Sequence, residues 1–204
     1  MSRQPNIVFF LADDLGWGDL GCYGHDVSNY DLIPPRRIRI QTPHLDALAR
    51  EGKLFTQYYV NGPMCSPARA GLMTGRYPAR SGIHFWLNRN HNRALGMPHW
   101  LDPPLPTLPR LLQGAGCRTA HFAKWHLGDG EGAPEVTEHG FDECRILCQG
   151  NGPSYGIRAW DPRAAGLIVD DAIRFLAENR TGPVYINAWP GRKFPRGSRR
   201  TEKT

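Results

Sequence analysis

The chain lacks any apolar segment long enough to form a membrane-spanning helix. Its longest uninterrupted apolar run covers residues 7–12, whereas a helix that crosses a bilayer needs roughly 20 residues. The N-terminus, Met1–Gln4, shows no basic region, separate hydrophobic stretch and small-residue cleavage site of the secretory type. We therefore expect a soluble protein without a membrane partner, cytoplasmic as written.

Cysteine is scarce and irregularly spaced. An odd number of cysteines without a repeated spacing argues against a disulfide framework, and Cys144 and Cys148 alone lack the second pair of ligands that a structural zinc site needs. At least one cysteine should therefore have another role. The five are Cys22, Cys65, Cys117, Cys144 and Cys148.

The net positive charge is concentrated at the end of the sequence. The 204 residues carry a formal net charge of +6, and five of these six charges lie within residues 192–204. A short basic end is more often solvated than a binding surface. We expect no nucleic-acid partner, and we predict a disordered tail over residues 191–204 because that segment has no apolar periodicity.

The remaining chain shows no repeat and no shift in composition, and its length suffices for one domain with a sizeable core. We predict one domain over residues 1–190. The sequence favours strands over 6–12, 54–60, 117–123 and 184–189, the first of them fully buried, and helices over 43–51, 65–75, 107–113 and 163–178. This alternation predicts an α/β fold with a mostly parallel sheet that is covered on both faces.

Three polar clusters lie where predicted strands end or helices begin, at Asp13 and Asp14, at Cys65 to Arg69, and at Lys124 to His126. The carboxyl ends of parallel strands form a ligand crevice, so these clusters could converge. The acid pair is either a turn or cap, or a site for Ca²⁺ or, less favourably, Mg²⁺, whose charge would offset the repulsion between two carboxylates.

Cys65 begins a predicted helix, and Arg69 lies one turn further on the same side. The helix dipole and the guanidinium both favour a reactive thiolate, and Arg69 could hold an anionic oxygen by a fork of donors. The alternatives are a buried apolar cysteine and a surface ion pair. Lys124 and His126 are two residues apart on a predicted strand and should share a face, which suits a cation beside a general acid or base. A hydrogen-bonded core histidine is the alternative.

These motifs resemble those of the sulfatase family in the alkaline phosphatase superfamily. Residues 65–76, CSPARAGLMTGR, are similar to the formylglycine signature, Cys-x-Pro-x-Arg followed by Leu or Met and Gly-Arg. Residues 116–128 are similar to the second signature, with Ala123 where the family usually has Gly and Cys117 where it usually has Tyr or Val. The resemblance covers roughly residues 5–189 and is closest to arylsulfatases and N-acetylgalactosamine-6-sulfatases.

The resemblance implies an alkaline-phosphatase-like three-layer sandwich and conversion of Cys65 to formylglycine by a formylglycine-generating enzyme. It implies that Asp13, Asp14 and the modified Cys65 ligate Ca²⁺, and that Arg69, Lys124 and His126 line a sulfate pocket. The hydrated aldehyde would attack the sulfur of a sulfated carbohydrate or aryl sulfate and displace the substrate alcohol, and its second hydroxyl would then lose its proton, expel sulfate and regenerate the aldehyde. Members of the family are often exported or lysosomal.

The resemblance weakens after the strand at 184–189. Family members usually continue with a histidine-containing segment, an Asp-Asn metal pair and another lysine, whereas Gly191–Phe194 follow Pro190 here. A calcium site generally takes six to eight oxygens. We therefore expect the chain alone to bind metal weakly and to hydrolyse little. The alternatives are a truncated, non-catalytic fragment and a phosphohydrolase of the same superfamily.

Overall fold

The computed structural model of the protein describes residues 4–23, 41–158 and 161–190. The chain divides into two compact units. The larger unit comprises Met1–Asp13 and Val60–Thr204, and the smaller unit comprises Asp14–Tyr59. The predicted disorder of residues 191–204 concerns a segment outside the described residues and stays a prediction.

The larger unit contains a sheet of four parallel strands, β1 (Ile7–Phe10), β2 (Arg118–Lys124), β3 (Glu143–Cys148) and β4 (Val184–Trp189). Their spatial order is β1-β4-β2-β3. Phe10 lies opposite Ala188 and Ala123 lies opposite Trp189, so the carboxyl ends of β1, β2 and β4 reach the same edge of the sheet. This edge is where the predicted polar clusters begin.

Five α-helices are described, α1 (Pro43–Glu51), α2 (Cys65–Thr74), α3 (Arg89–Ala94), α4 (Leu108–Gly114) and α5 (Ala164–Glu178). Short 3₁₀ helices occur at Trp17–Asp19, Gly21–Tyr23, Pro78–Ser81 and Val136–His139. Helix α1 and the first two 3₁₀ helices belong to the smaller unit. Among the described residues, no helix has both the length and the apolar character needed to span a membrane.

Alternating residues of the central strands build a core on each face of the sheet. On one face, Phe122 and Ile186 pack with Ile168 and Phe175 of α5. The other core contains residues of α2 and β4 and the residue that follows β2, namely Ala70, Met73, Tyr185, Trp189 and Trp125. A helix layer on each side of a parallel sheet confirms the predicted three-layer α/β fold.

Helix boundaries follow the local signals in the sequence. Thr42 precedes α1, which begins at Pro43 and ends before Gly52. Gly75 ends α2 in the left-handed conformation, with φ of 64°. Proline at the first helical position and glycine just past the end are the signals that predicted both ends. The helices predicted over 107–113 and 163–178 are also present, as α4 and α5.

Two strand predictions were wrong. Strand β1 is present but not fully buried, because Val8 and Phe10 are 51% and 54% exposed and β1 is the edge strand of the described sheet. Residues 54–60 form no strand. They belong almost entirely to the smaller unit, where the described residues offer no neighbouring strand to pair with, so their β-branched and aromatic side chains do not suffice. Strand β3 and helix α3 were not predicted.

Candidate active site

Asp13 follows β1 and binds two cations. Its Oδ1 accepts a hydrogen bond from Nη2 of Arg69 at 2.8 Å, and its Oδ2 accepts one from Nζ of Lys124 at 2.6 Å. The Asp13 and Lys124 side chains are 11% and 9% exposed, and that of Arg69 is 1% exposed. The three polar clusters thus contribute one buried charge network at the carboxyl edge of the sheet.

Arg69 is fixed by three neighbours on different elements. Besides the ion pair with Asp13, its Nη1 donates to the backbone carbonyl of Lys124 at 3.0 Å, and its guanidinium lies 4.7 Å from the centre of the Trp189 ring. A planar guanidinium can lie on an aromatic face and donate a fork of hydrogen bonds at the same time, whereas lysine has only a single ammonium group. The alternative of a surface ion pair was wrong, because this pair is buried.

Cys65 is the first residue of α2. Its Sγ lies 3.4 Å from Nζ of Lys124 and within 4.8 Å of a carboxylate oxygen of Asp13. The adjacent Ser66 is fully buried, and its Oγ accepts a hydrogen bond from the backbone of Leu87 at 2.9 Å. The partly exposed thiol is therefore held at a fixed point beside a cation and an anion.

Asp14 directly follows Asp13 in the chain and is the first residue of the smaller unit. It is exposed and has a φ of 56°, a left-handed conformation that aspartate tolerates better than most residues. Strained backbone of this kind is common next to active sites.

The two cations decide the charge of Asp13. Burial alone would raise the pKa of its carboxyl, but the hydrogen bond from Lys124 and the charges of Arg69 and Lys124 outweigh burial and lower the pKa below its ordinary value of 3.8. Asp13 is therefore an anion at neutral pH, and the network holds two positive charges against one negative charge. The surplus positive charge suits an anionic ligand.

Lys124 and His126 do not occupy one strand as predicted. Strand β2 ends at Lys124, its register shifts between Ala123 and Lys124, and Ala123 and His126 have φ values of 94° and 60°. Side chains alternate between faces only while the backbone stays extended, so the spacing argument was wrong. Lys124 points to Asp13, whereas the His126 ring lies beside Gln149, with 3.1 Å between the two Nε2 atoms.

His126 is 5% exposed. Burial, followed by the charges of Lys124 and Arg69, lowers the pKa of His126 to about 4. The ring is therefore neutral at pH 7. A neutral imidazole can accept a proton, and its tautomer determines which nitrogen does so.

Two residues of this region were missed from the sequence. Trp189 ends β4, and its ring forms a cation–π contact with the guanidinium of Arg69. Gln149 follows β3 and contacts His126. A signal existed for Trp189, because it ends a predicted strand and so should have been placed at the same edge as Asp13. Gln149 could not be placed without β3.

The donor chemistry of this site fits a hard divalent cation. Each Asp13 oxygen accepts one hydrogen bond, and a carboxylate oxygen has two lone pairs, so each oxygen keeps one lone pair for a metal. The carboxylate of Asp14 provides the same kind of donor. A thiol is a softer ligand than Ca²⁺ prefers, so an oxygen at position 65 would complete the set better than sulfur does.

Comparisons with known proteins identify the family of the chain. The Sulfatase family matches residues 5–186. The chain is 40% identical over 185 residues to steryl-sulfatase of Mus musculus, covering 86% of this chain and 26% of that protein. It is 43% identical over 147 residues to N-acetylgalactosamine-6-sulfatase of Sus scrofa, covering 69% and 25%. The chain thus spans about a quarter of these relatives.

A solved structure shares the fold. The protein BT4656, in complex with its substrate D-glucosamine-2-N,6-O-disulfate, superimposes with a TM-score of 0.68 at 26% sequence identity, and the match covers 95% of this chain and 35% of that protein.

Proposed function

The chain belongs to the sulfatase family, and from that premise we propose that it carries the nucleophile-bearing part of a sulfuric ester hydrolase. The observation that supports this proposal most directly is the position of Lys124 Nζ, 3.4 Å from Cys65 Sγ and 2.6 Å from Asp13 Oδ2. One cation thus touches both the proposed nucleophile and the proposed metal ligand. A group transferred at position 65 would develop its negative charge beside this ammonium.

We propose formylglycine at position 65, whose hydrated aldehyde would supply one hydroxyl oxygen as the nucleophile that displaces the substrate alcohol from sulfur. Deprotonation of its second hydroxyl would then expel sulfate and regenerate the aldehyde. The chain's own residues orient the reaction. Helix α2 fixes the nucleophile, while Arg69 and Lys124 offset charge on the sulfuryl oxygens. Because Arg69 is already fixed by Trp189 and the Lys124 carbonyl, little reorganisation is required when the anion binds.

We propose that Asp13, Asp14 and the modified residue 65 hold Ca²⁺, with Mg²⁺ as the weaker alternative. A bound cation would polarise the sulfate ester as a Lewis acid. Asp13 is suited to this role because it stays ionised at neutral pH and retains free lone pairs.

The proposed substrate is a sulfated carbohydrate or an aryl sulfate. Two observations on relatives support this class. One relative is named for sulfated N-acetylgalactosamine, and the structural neighbour was solved with a glucosamine disulfate as its substrate. The proposed protein partner is a formylglycine-generating enzyme.

The first experiment tests the nucleophile. The chain is co-expressed with a formylglycine-generating enzyme, the peptide containing Cys65 is analysed by mass spectrometry, and hydrolysis of p-nitrophenyl sulfate and p-nitrophenyl phosphate is measured. We expect conversion of Cys65 to the aldehyde and slow hydrolysis of the sulfate ester by the wild-type chain. A Cys65→Ala variant should show no hydrolysis. A thiol that stays unmodified would refute the proposal, and a preference for the phosphate ester would favour the phosphohydrolase.

The second experiment tests the metal. Added Ca²⁺ should raise the melting temperature of the wild-type chain, because a ligand that binds only the folded state stabilises it. Asp14→Asn should abolish this shift, whereas Asp129→Asn, which removes an acid elsewhere, should retain it. Equal shifts in all three proteins would exclude the proposed calcium site.

A further inference from the structure

His126 and Gln149 follow the carboxyl ends of neighbouring strands and are joined twice. The backbone N–H of His126 donates to the carbonyl of Gln149 at 2.6 Å, and the two side chains meet with 3.1 Å between His126 Nε2 and Gln149 Nε2. Gln149 lies outside both signature segments, so no motif accounts for this contact.

Both residues adopt a backbone conformation that non-glycine residues usually avoid. Their φ values are 60° for His126 and 58° for Gln149, a conformation that costs on the order of 1 kcal/mol per residue. Such a cost persists only where the surroundings impose it. The backbone here is tightly packed, because a Cβ on Gly150 would lie 2.7 Å from Cβ of Trp125. The backbone N–H of Trp125 also donates to the Cys148 carbonyl at 3.2 Å.

The side-chain contact specifies a tautomer. An amide nitrogen donates hydrogen bonds and does not accept them. The Gln149 amide therefore requires a lone pair on Nε2 of His126, which leaves the ring proton on Nδ1. The backbone of Leu87 favours a proton on this ring, but it forms no well-formed hydrogen bond with the buried Nδ1 atom.

We propose that Gln149 is a positioning residue that holds His126 as a neutral imidazole protonated on Nδ1, with Nε2 as a hydrogen-bond acceptor. Its catalytic meaning rests on the proposed sulfatase function, in which the neutral ring would begin the reaction with its one proton on Nδ1 and its lone pair on Nε2 held by Gln149. The low pKa of the ring, about 4 because of burial and the charges of Lys124 and Arg69, is consistent with a neutral resting form. No other described side chain forms a hydrogen bond with this ring.

The tautomer can be measured directly on the full chain. The protein is labelled with ¹⁵N-histidine, and long-range ¹H–¹⁵N spectra are recorded at pH 7, where the two tautomers of an imidazole give different nitrogen shifts. A His126→Gln variant identifies the His126 signals by their loss. We expect the wild-type ring to be predominantly protonated on Nδ1.

Gln149→Glu should reverse the tautomer, because a carboxylate beside Nε2 accepts a hydrogen bond and requires a proton there. Gln149→Met, which keeps the length of the side chain and loses its donor, should give a mixture. Gln57→Glu is the matched control, since Gln57 is exposed and belongs to the smaller unit, and it should leave the His126 signals unchanged.

A wild-type ring protonated on Nε2 would overturn the proposal even if every Gln149 variant failed to fold. A folded Gln149→Glu protein with an unchanged tautomer would overturn it as well. Failure of the sulfatase function is distinguishable, because that failure appears as an unmodified thiol at Cys65, and the tautomer is measured without turnover.

Discussion

Lys124 and Asp13 are separated by 111 residues in the sequence, yet Nζ of Lys124 lies 2.6 Å from Oδ2 of Asp13. Both side chains are largely buried, so neither charge can turn to water if its partner is removed. This ion pair joins the end of β1 to the end of β2 across β4, and it should therefore contribute to stability as well as to the site.

Lys124→Met should lower the free energy of unfolding by about 2 kcal/mol, the typical cost of losing a hydrogen bond to a charged group, because Asp13 keeps its ion pair with Arg69. The matched control is Arg118→Met at the other end of β2. Arg118 pairs with Asp142 at 3.1 Å but its side chain is 55% exposed, so its loss should cost less than about 1 kcal/mol. Urea denaturation measures both values. Equal effects would show that the Lys124 pair is not energetically special.

Acid should destabilise the fold in two steps. Burial lowers the pKa of His121 to about 3, and those of His126 and His139 to about 4. All three values lie below the ordinary histidine value of 6.5, so the unfolded chain binds more protons as the pH falls below 6.5. The stability present above pH 6.5 should decline towards pH 4. Each ring contributes up to about 1.4 kcal/mol per pH unit.

Urea titrations between pH 7 and pH 4 test this dependence. His121 packs against Trp125, Phe141 and Trp189, with ring centres 5.1 to 5.4 Å apart, and neither ring nitrogen has a well-formed hydrogen bond. His121→Phe should therefore fold, and its free energy of unfolding should change less with pH than that of the wild type. His84→Gln changes an exposed residue and should keep the wild-type pH dependence of the unfolding free energy. If His121→Phe left that dependence unchanged, its assignment to His121 would be contradicted.

The second acid step belongs to Asp13. Its folded-state pKa is lowered from 3.8, so its contribution is present above about pH 4 and is lost as the pH falls through the lowered value. Asp13→Asn removes the charge at every pH and should make unfolding less pH-dependent below pH 4. A steep dependence that survives in Asp13→Asn would assign this step to other carboxyl groups.

The sequence predicted those parts of the site that depend on local signals. Asp13 was placed by the end of an apolar strand and Cys65 by the start of a helix, and both signals are confined to a few neighbouring residues. The contact of Arg69 with the Lys124 carbonyl could not be predicted, because it joins α2 to the end of β2 across 55 positions of sequence. Local side-chain patterns do not determine such long-range packing.

The orientation of His126 shows a different limit. The period-2 argument assumed an extended backbone through residue 126, and the register shift at Ala123 ended that extension. The sequence did contain a clue, because the corresponding position of the family signature is usually glycine. A glycine there is explained by the φ of 94° that Ala123 adopts, which favours a residue without a Cβ.

Arg69→Lys should destabilise the protein although the charge is kept. Lysine has no planar fork, so it cannot serve Asp13 and the Lys124 carbonyl together while stacking on Trp189. We expect a loss of about 2 kcal/mol, roughly one hydrogen bond to a charged group and part of a desolvated cation–π contact. Arg163→Lys is the control, because Arg163 pairs with Asp161 at 2.8 Å but is 72% exposed. Comparable losses in both variants would contradict the role of the fork.

Ala123→Gly should stabilise the protein, which is unusual for a buried alanine in a strand. Ala123 is fully buried and carries its methyl group at a φ of 94°, so glycine removes a strain of about 1 to 3 kcal/mol and adds less than about 1 kcal/mol of backbone entropy to the unfolded chain. Ala120→Gly provides the matched control, because Ala120 is equally buried in β2 but is not among the described residues with positive φ. Chemical denaturation should show a higher midpoint for Ala123→Gly and a lower one for Ala120→Gly. If both midpoints fell by the same amount, the backbone at Ala123 would not be strained, and the usual family preference for glycine there would need another explanation.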